Sequence, residues 1–424
     1  MSEFDKIIGY ESVKEELRQL CDMIHNADVY EKLGAKLPKG LLIYGVPGVG
    51  KSLMAKSFIK ESDRKSYIIR RNKHGGDFIN EIKNVFTEAA QNTPSIILLD
   101  DMDKFVVEEG SREEYVAIQA CIDEVSLSDV YVLATANTLR DIPDSLLRAG
   151  RFDRKIEVEA PMGEDAVKII QHYVKSKKVV ASLNVEDVAK MLHGRSCADL
   201  ETLLNEAAIY AGFERCESIS MEHIVRATLR NEYGANDSCS VVDTFSLKMA
   251  AYHEAGHVVI SELLNPNSVG LASIKTRGKS GRAGFITRSV DRLSDSQDVL
   301  VLLAGKAAAE MKFGIADNGG RIDLGCVVNH IISSVSYAGT CGIGALDIYE
   351  HYQNPSNDIR AKQEGVIHAE IERYLMQTKM LLTNNWGFLN AVATALLEKR
   401  TLLHSDIQKL KSSCDITAHL TIVK

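Results

Sequence analysis

Two short stretches of this chain hold side chains whose types and spacing can do chemistry. In the second half, His253-Glu-Ala-Gly-His257 lies inside a long helical pattern, 244–264. Positions i and i+4 share one helix face, so both imidazoles can point at a single metal ion. Glu254 stands beside them and can act as general base toward a water that the metal activates. In the first half, Gly45-Val-Pro-Gly-Val-Gly-Lys-Ser52 fits GxxxxGK[ST]. It follows a strand-like run, Leu41–Tyr44, and opens a helical one, Leu53–Ile59, which is the context a phosphate-binding loop requires. Gly45, Gly48 and Gly50 let backbone N–H groups curl round phosphates, and the helix N-terminus adds a positive field. Lys51 would reach the outer phosphates of ATP, and the Ser52 hydroxyl would sit on Mg²⁺. Pro47, Val49 and Leu53 complete the expected contact set.

A second element belongs with that loop. Ile96-Ile-Leu-Leu-Asp100-Asp101 reads as a buried strand ending in two carboxylates. Alone, such a pair is a strand cap. Next to a phosphate loop, Asp100 is expected to partner Mg²⁺, and Asp101 to orient the attacking water. The metal motif still needs a third ligand. A metzincin would place Gly three and His six residues past His257, but Ile260 and Leu263 stand there, so that class is excluded. A thermolysin-like site would draw a glutamate from tens of residues downstream, and Glu310 is the candidate. An Asp that follows two glycines, as Asp323 does, is on spacing alone more often a turn residue.

The elements around these motifs fall into an order. Over 1–160, strand-like runs (Leu41–Tyr44, Tyr67–Arg70, Ile96–Leu99, Tyr131–Ala134) alternate with amphipathic helical stretches such as Phe78–Ala90 and Tyr115–Val125. Such alternation predicts an α/β domain with a mainly parallel sheet. Residues 161–232 show only helical periodicity, a small helical subdomain. The polar run 233–243 reads as a linker. Residues 244–424 are mainly helical, with two strand-like pieces near Ser268–Thr276 and Gly284–Arg288.

With 424 residues there is room for two or three domains and a substantial core. A net charge of −8 gives no reason to expect nucleic acid. The eight cysteines include no CxxC pair, which fits free thiols in a reducing compartment. No apolar run approaches the ~18 residues of a membrane span, and the first residues lack signal or transit character. The expectation is a cytoplasmic chain, or the soluble part of something longer.

Further segments carry a family resemblance. Ala134-Thr-Ala-Asn137 and Leu146-Leu-Arg-Ala-Gly-Arg-Phe-Asp-Arg154 resemble the sensor and arginine-finger segments of AAA ATPases, and Ser196-Cys-Ala-Asp-Leu200 with Asn205-Glu-Ala-Ala208 resembles their lid. Ala251-Tyr-His-Glu-Ala-Gly-His257 with Gly319-Gly-Arg-Ile-Asp-Leu324 resembles the FtsH-like AAA metalloproteases, and the likeness covers nearly the whole chain. It implies a P-loop AAA ATPase domain with a helical lid, followed by a mainly α-helical zinc metalloprotease domain. It implies ATP, Mg²⁺ and Zn²⁺ as cofactors, polypeptides as substrates and a ring, usually a hexamer. It makes Asn137 a sensor and places Ile8, Gly9 and His172 around the adenine. Arg148 and Arg151 become arginine fingers reaching a neighbouring subunit, where a guanidinium stabilises the transferring phosphoryl group. Asp323 becomes the third zinc ligand.

Three departures from that family bear on function. Its members usually carry N-terminal membrane spans, and this chain shows none. Its water-orienting acid is usually Glu where Asp101 stands, so slow ATP hydrolysis is expected. Its substrate-gripping pore loop normally holds an aromatic. Here Arg70–Asp77 is basic, with His74 in that position, a loop suited to acidic or already unfolded segments. The expected activity is ATP-dependent proteolysis. The competing expectations are a zinc peptidase on a weakly hydrolysing scaffold and a remodelling ATPase with residual peptidase.

Overall fold

The computed structural model describes residues 2–71, 76–105, 113–180, 182–235, 243–277, 282–288, 294–315, 320–336 and 357–417. Chain contacts divide it into two compact units. One is Met1–Ser176 with Gly194–Thr202, and the other is Lys177–His193 with Leu203–Lys424.

In the first unit, helices α1 (Glu11–His25) and α2 (Ala27–Lys32) precede a repeating strand–helix chain. That chain runs β1 (Gly40–Tyr44), α3 (Lys51–Glu61), β2 (Lys65–Ile69), α4 (Gly76–Gln91), β3 (Ser95–Leu99) and α5 (Glu113–Glu124). It closes with β4 (Val130–Ala136), β5 (Arg154–Glu157) and α6 (Gly163–Lys175). The strands form one parallel sheet in the order β2-β3-β4-β1-β5. Every residue of β3 and β4 is buried. That is why those strands read as unbroken apolar runs rather than as alternation. Because the strands are parallel, the ends of β1, β3 and β4 open on one edge. In such sheets ligands bind outside the carboxyl ends of the strands. Four strands were expected. The fifth, β5, is short and polar, with Ile156 as its one buried residue.

The second unit begins with α7 (Val185–Met191), and α8 (Cys197–Phe213) crosses into it from the first. It continues with α9 (Met221–Tyr233), α10 (Thr244–Leu264), β6 (Val269–Arg277), β7 (Arg282–Arg288) and α11 (Asp295–Phe313). Then come α12 (Arg321–Ser336), α13 (Asn357–Asn384), α14 (Trp386–Lys399), β8 (Thr401–Leu403) and α15 (His404–Ser412). The three strands form an antiparallel sheet in the order β7-β6-β8. The core is built on α10: Ala255, Val258 and Val259 pack among Ala304, Ala308, Leu389 and Val392, all fully buried. Asp243 caps α10, accepting from the backbone of Phe245 (3.0 Å) and Ser246 (2.9 Å). Ser294 and Gln297 form a capping box on α11. Helix α7 is pinned to α15, where Ser405 donates its N–H and its hydroxyl to the two oxygens of Asp187 (2.8 and 2.7 Å). The six described cysteines are free thiols. No described helix is long and apolar enough to cross a membrane.

Candidate nucleotide cavity and metal centre

The loop between β1 and α3 forms one wall of a cavity of about 600 Å³, a size suited to a small-molecule ligand. Ile8, Pro47, Gly48, Val49, Gly50, Lys51, Ser52 and Leu53 all line it, as do Asp101, Asn137 and His172. Sequence positions far apart converge because the sheet order sets β4 beside β1. Gly45 lies just behind the wall, its carbonyl accepting from Lys51 Nζ at 2.7 Å. Gly9 is also behind it: it adopts a positive φ of 71° and packs against Asp165. Lys51 is buried, and its ammonium also contacts the Val46 carbonyl (2.9 Å) and Asn137 Oδ1 (3.0 Å). Burial pulls its pKa below the ordinary lysine range, against the pull of Asp101 and Asp103. A buried cation resting on carbonyl oxygens can hold phosphate oxygens in their place.

Ser52 Oγ donates to Asp100 Oδ1 at 3.2 Å, and Thr135 Oγ1 donates to the same oxygen at 2.7 Å. A hydroxyl and a carboxylate side by side are the hard oxygen donors that Mg²⁺ takes, so the residues present fit that ion. Arg70 occupies the other carboxylate oxygen, Oδ2, through Nε (2.8 Å) and Nη2 (2.5 Å). Burial works against charge on Asp100, but the Thr135 and Arg70 hydrogen bonds hold its carboxyl below the ordinary range. Asp101 donates its backbone N–H to Thr135 Oγ1 (2.9 Å), and its carboxylate pairs with Lys104 Nζ at 2.8 Å.

Not all the expected residues meet here. Arg148 is exposed and does not line this cavity. Arg151 pairs with Asp123 through Nε (3.0 Å) and Nη2 (2.9 Å), and donates to the Ser145 carbonyl. Arg70, the first residue of the loop 70–77, follows β2 directly and turns toward Asp100, where its guanidinium meets a buried carboxylate. His74 lies outside the described residues.

The second constellation stands on three helices. His253 and His257 project from α10, one turn apart, with their Nε2 atoms 3.1 Å from each other. Asp323 Oδ2, in the first turn of α12, is 3.4 Å from the first and 3.5 Å from the second. Tetrahedral zinc with bonds of about 2.0–2.1 Å needs its donors roughly 3.3–3.4 Å apart, so this donor set fits the ion. His257 Nδ1 lies 2.7 Å from the Val301 carbonyl. A carbonyl only accepts, so Nδ1 carries the proton and Nε2 presents its lone pair inward. Gly305 on α11 keeps the space open, since a Cβ there would stand 2.6 Å from both Nε2 atoms. Burial opposes ionisation of Asp323, yet the two imidazoles hold its carboxyl well below the usual range. Glu254 is buried beside the pair and lies against the backbone of β7, where Gly284 has a φ of 109° and a Cβ would overlap its carboxylate. Glu310, the alternative ligand, sits instead in ion pairs with Lys306 and Lys379. Asp323 is thus a helix residue, not a turn residue: the chain enters α12 through Gly320, and the aspartate takes the third position of that helix.

Several residues at these sites carried no sequence signal. Tyr10, Tyr173 and Cys197 line the cavity, and Arg70 and Lys104 pair with its acids. Gly305 and Gly284 shape the metal centre. Arg70 had the nearest thing to a signal: a cation following a strand that neighbours the acid-tipped one.

Residues 41–160 match the ATPase family associated with various cellular activities (AAA), 182–226 the AAA+ lid domain, and 240–410 peptidase family M41. The chain is 29% identical over 453 residues to the "ATP-dependent zinc metalloprotease FtsH" of Streptobacillus moniliformis, covering 99% of this chain and 65% of the relative. A protein of the same name from Leptotrichia buccalis is 29% identical over 439 residues, covering 96% of this chain and 56% of the relative. The "ATP-dependent zinc metalloprotease FtsH 2" of a Thermoanaerobacter species is 27% identical, covering 96% and 82%. The chain therefore spans less than two thirds of the length of the first two. With an AAA module, an AAA lid and an M41 peptidase module in that order, and a donor set suited to zinc in the last, the chain carries the modules of the FtsH-like AAA metalloproteases and is similar to them over nearly its whole length.

Proposed function

We propose that this chain is an ATP-dependent zinc endopeptidase that degrades polypeptides as a ring of identical subunits, a hexamer in the family's usual form. The observation that carries the proposal is the trio His253, His257 and Asp323. Its donor spacing suits zinc, and the buried carboxylate of Glu254 stands beside it. The proposed domain limits are 1–160 for the ATPase α/β part, 161–232 for the lid, 233–243 for the linker and 244–424 for the protease.

Zinc held by the trio would supply Lewis acidity to the scissile carbonyl and to the attacking water. Glu254 takes the proton of that water and delivers it to the leaving amine. The Val301 carbonyl, through His257 Nδ1, fixes the imidazole in its ligand tautomer. In the ATPase part, Lys51 and the loop backbone hold the phosphates, Ser52 and Asp100 would hold Mg²⁺, and Asp101 orients the water. Asn137 holds Lys51 in place. Arg148 and Arg151 serve the cavity of the next subunit, a role supported by the fact that neither lines its own.

A second reading, a peptidase on a weakly hydrolysing scaffold, is favoured by the cations on both acids, Arg70 on Asp100 and Lys104 on Asp101. One experiment separates the two. Casein is incubated with the chain and Zn²⁺, under ATP, no nucleotide or a non-hydrolysable analogue, with Glu254→Gln as control. Cleavage should require hydrolysable ATP and fall by about 10²–10⁴-fold in the variant. Cleavage indifferent to hydrolysis selects the scaffold reading. No cleavage under any condition removes the peptidase.

A further inference from the structure

The Asp100 carboxylate is held twice over. Its Oδ1 accepts from Thr135 and Ser52, and its backbone N–H donates to the Ile69 carbonyl at 3.0 Å. Those contacts fix its position. Its Oδ2 accepts two further bonds from one guanidinium, that of Arg70. A carboxylate already positioned needs no arginine to orient it, so Arg70 acts chiefly on its charge. The two partners also differ in freedom. The Asp100 side chain is 5% exposed and cannot leave, whereas that of Arg70 is 59% exposed and can swing into water.

We propose that Arg70 gates the magnesium site of the nucleotide cavity: paired with Asp100 it lowers the affinity for Mg²⁺, and its release into solvent restores it. The proposal rests on the reading of the cavity as an ATP site. Arg70 is here a positioning residue that acts through Asp100, not a group that touches nucleotide. The mechanism is electrostatic competition. Mg²⁺ needs an anionic oxygen at this place, directly or through one of its waters. With Arg70 paired, Oδ2 is occupied and the carboxylate charge is offset. A dication arriving beside the guanidinium meets like-charge repulsion over a few ångströms, moderated by the solvent that reaches Arg70. Lys51 is held by the Gly45 and Val46 carbonyls and Asn137, not by Asp100 or Arg70, so the phosphates can bind whether or not Arg70 is in place. Nucleotide affinity and magnesium affinity are therefore separable in this chain. The exit of β2, which carries Arg70, becomes the element that controls the second without the first.

The test is a binding measurement on the full chain with a fluorescent ATP analogue. Affinity is first measured in EDTA, and Mg²⁺ is then titrated to find its midpoint. The parent is compared with Arg70→Gln, which removes the charge, and Arg70→Lys, which keeps it; thermal unfolding of each checks the fold. In EDTA, the Gln variant should match the parent within about twofold. Its Mg²⁺ midpoint should fall by at least about threefold, the sign expected when a like charge is taken from a cation site. The Lys variant should stay nearer the parent. A midpoint that is unchanged or higher in Arg70→Gln overturns the gate and makes the arginine a structural prop. A loss of affinity in EDTA also overturns it, because Arg70 would then be serving the nucleotide itself. A parent that binds no nucleotide under either condition removes the ATP site, and the gate with it.

Discussion

Asp101 is one methylene shorter than the glutamate its family usually places there. The chain does not compensate: Asp101 sits in a left-handed backbone conformation (φ 56°) and its carboxylate turns to Lys104. Both partners of that pair are well exposed, so the pairing itself is weak. What limits the residue is reach. Misplacement by about 1 Å costs on the order of 10²-fold in rate, so Asp101→Glu should raise ATP turnover several-fold, up to that ceiling. A steady-state ATPase assay of parent and variant checks this, and a flat or lower rate removes the argument. At the same scale, charge partners favour Asp323 over Glu310 as the third ligand of the proposed site. Glu310 spends its carboxylate on Lys306 and Lys379, whereas Asp323 faces two imidazoles.

The metal centre is a product of how α10 and α11 cross. Helix α10 sets the two imidazoles one turn apart, but only the neighbouring helix decides whether there is room between them. Gly305 supplies that room. Gly305→Ala places a methyl against both Nε2 atoms while slightly favouring the helix itself. Zinc affinity should therefore fall by about 10–100-fold, the size of effect seen when the surroundings of a ligand are disturbed, with helix content unchanged. Metal content after dialysis against graded zinc buffers, read beside circular dichroism, separates this from unfolding. Full zinc occupancy in the variant would show that the pair relaxes apart without cost. The staple of Ser405 on Asp187 belongs to the same scale: it joins an N-terminal helix of this unit to its last one, across more than two hundred residues of sequence.

At the scale of the whole molecule, the arginines are the informative residues. Arg148 lies outside the cavity formed by its own chain, so the proposed ring makes a clear prediction for mixed subunits. Arg148→Ala and Lys51→Ala should each be nearly inactive as an ATPase. Mixed before assembly, they should recover activity, because Lys51→Ala subunits donate Arg148 to intact phosphate loops. The titration of one variant into the other, followed by phosphate release, reads this out. A mixture no more active than the mean of its parts would mean that Arg148 does not act across subunits.

The amino-acid sequence by itself determined the chemistry-bearing motifs and the order of modules. GxxxxGK[ST], the acid-tipped apolar strand and HExxH are local patterns, and each needs only its own strand, loop or helix to be legible. The alternation of apolar runs likewise announced the parallel sheet, because strands buried on both faces cannot be polar. Strands β5 and β8 escaped notice, being short and carrying one buried residue each, so their existence depends on neighbours. Only the tertiary structure brought Asp323 to the histidines, sent Glu310 elsewhere, set Arg70 on Asp100 and opened the space at Gly305. These are contacts between elements remote in sequence. What decides them is the competition of each charged group for a partner and of each helix for a close approach, neither of which leaves a periodic trace in the chain.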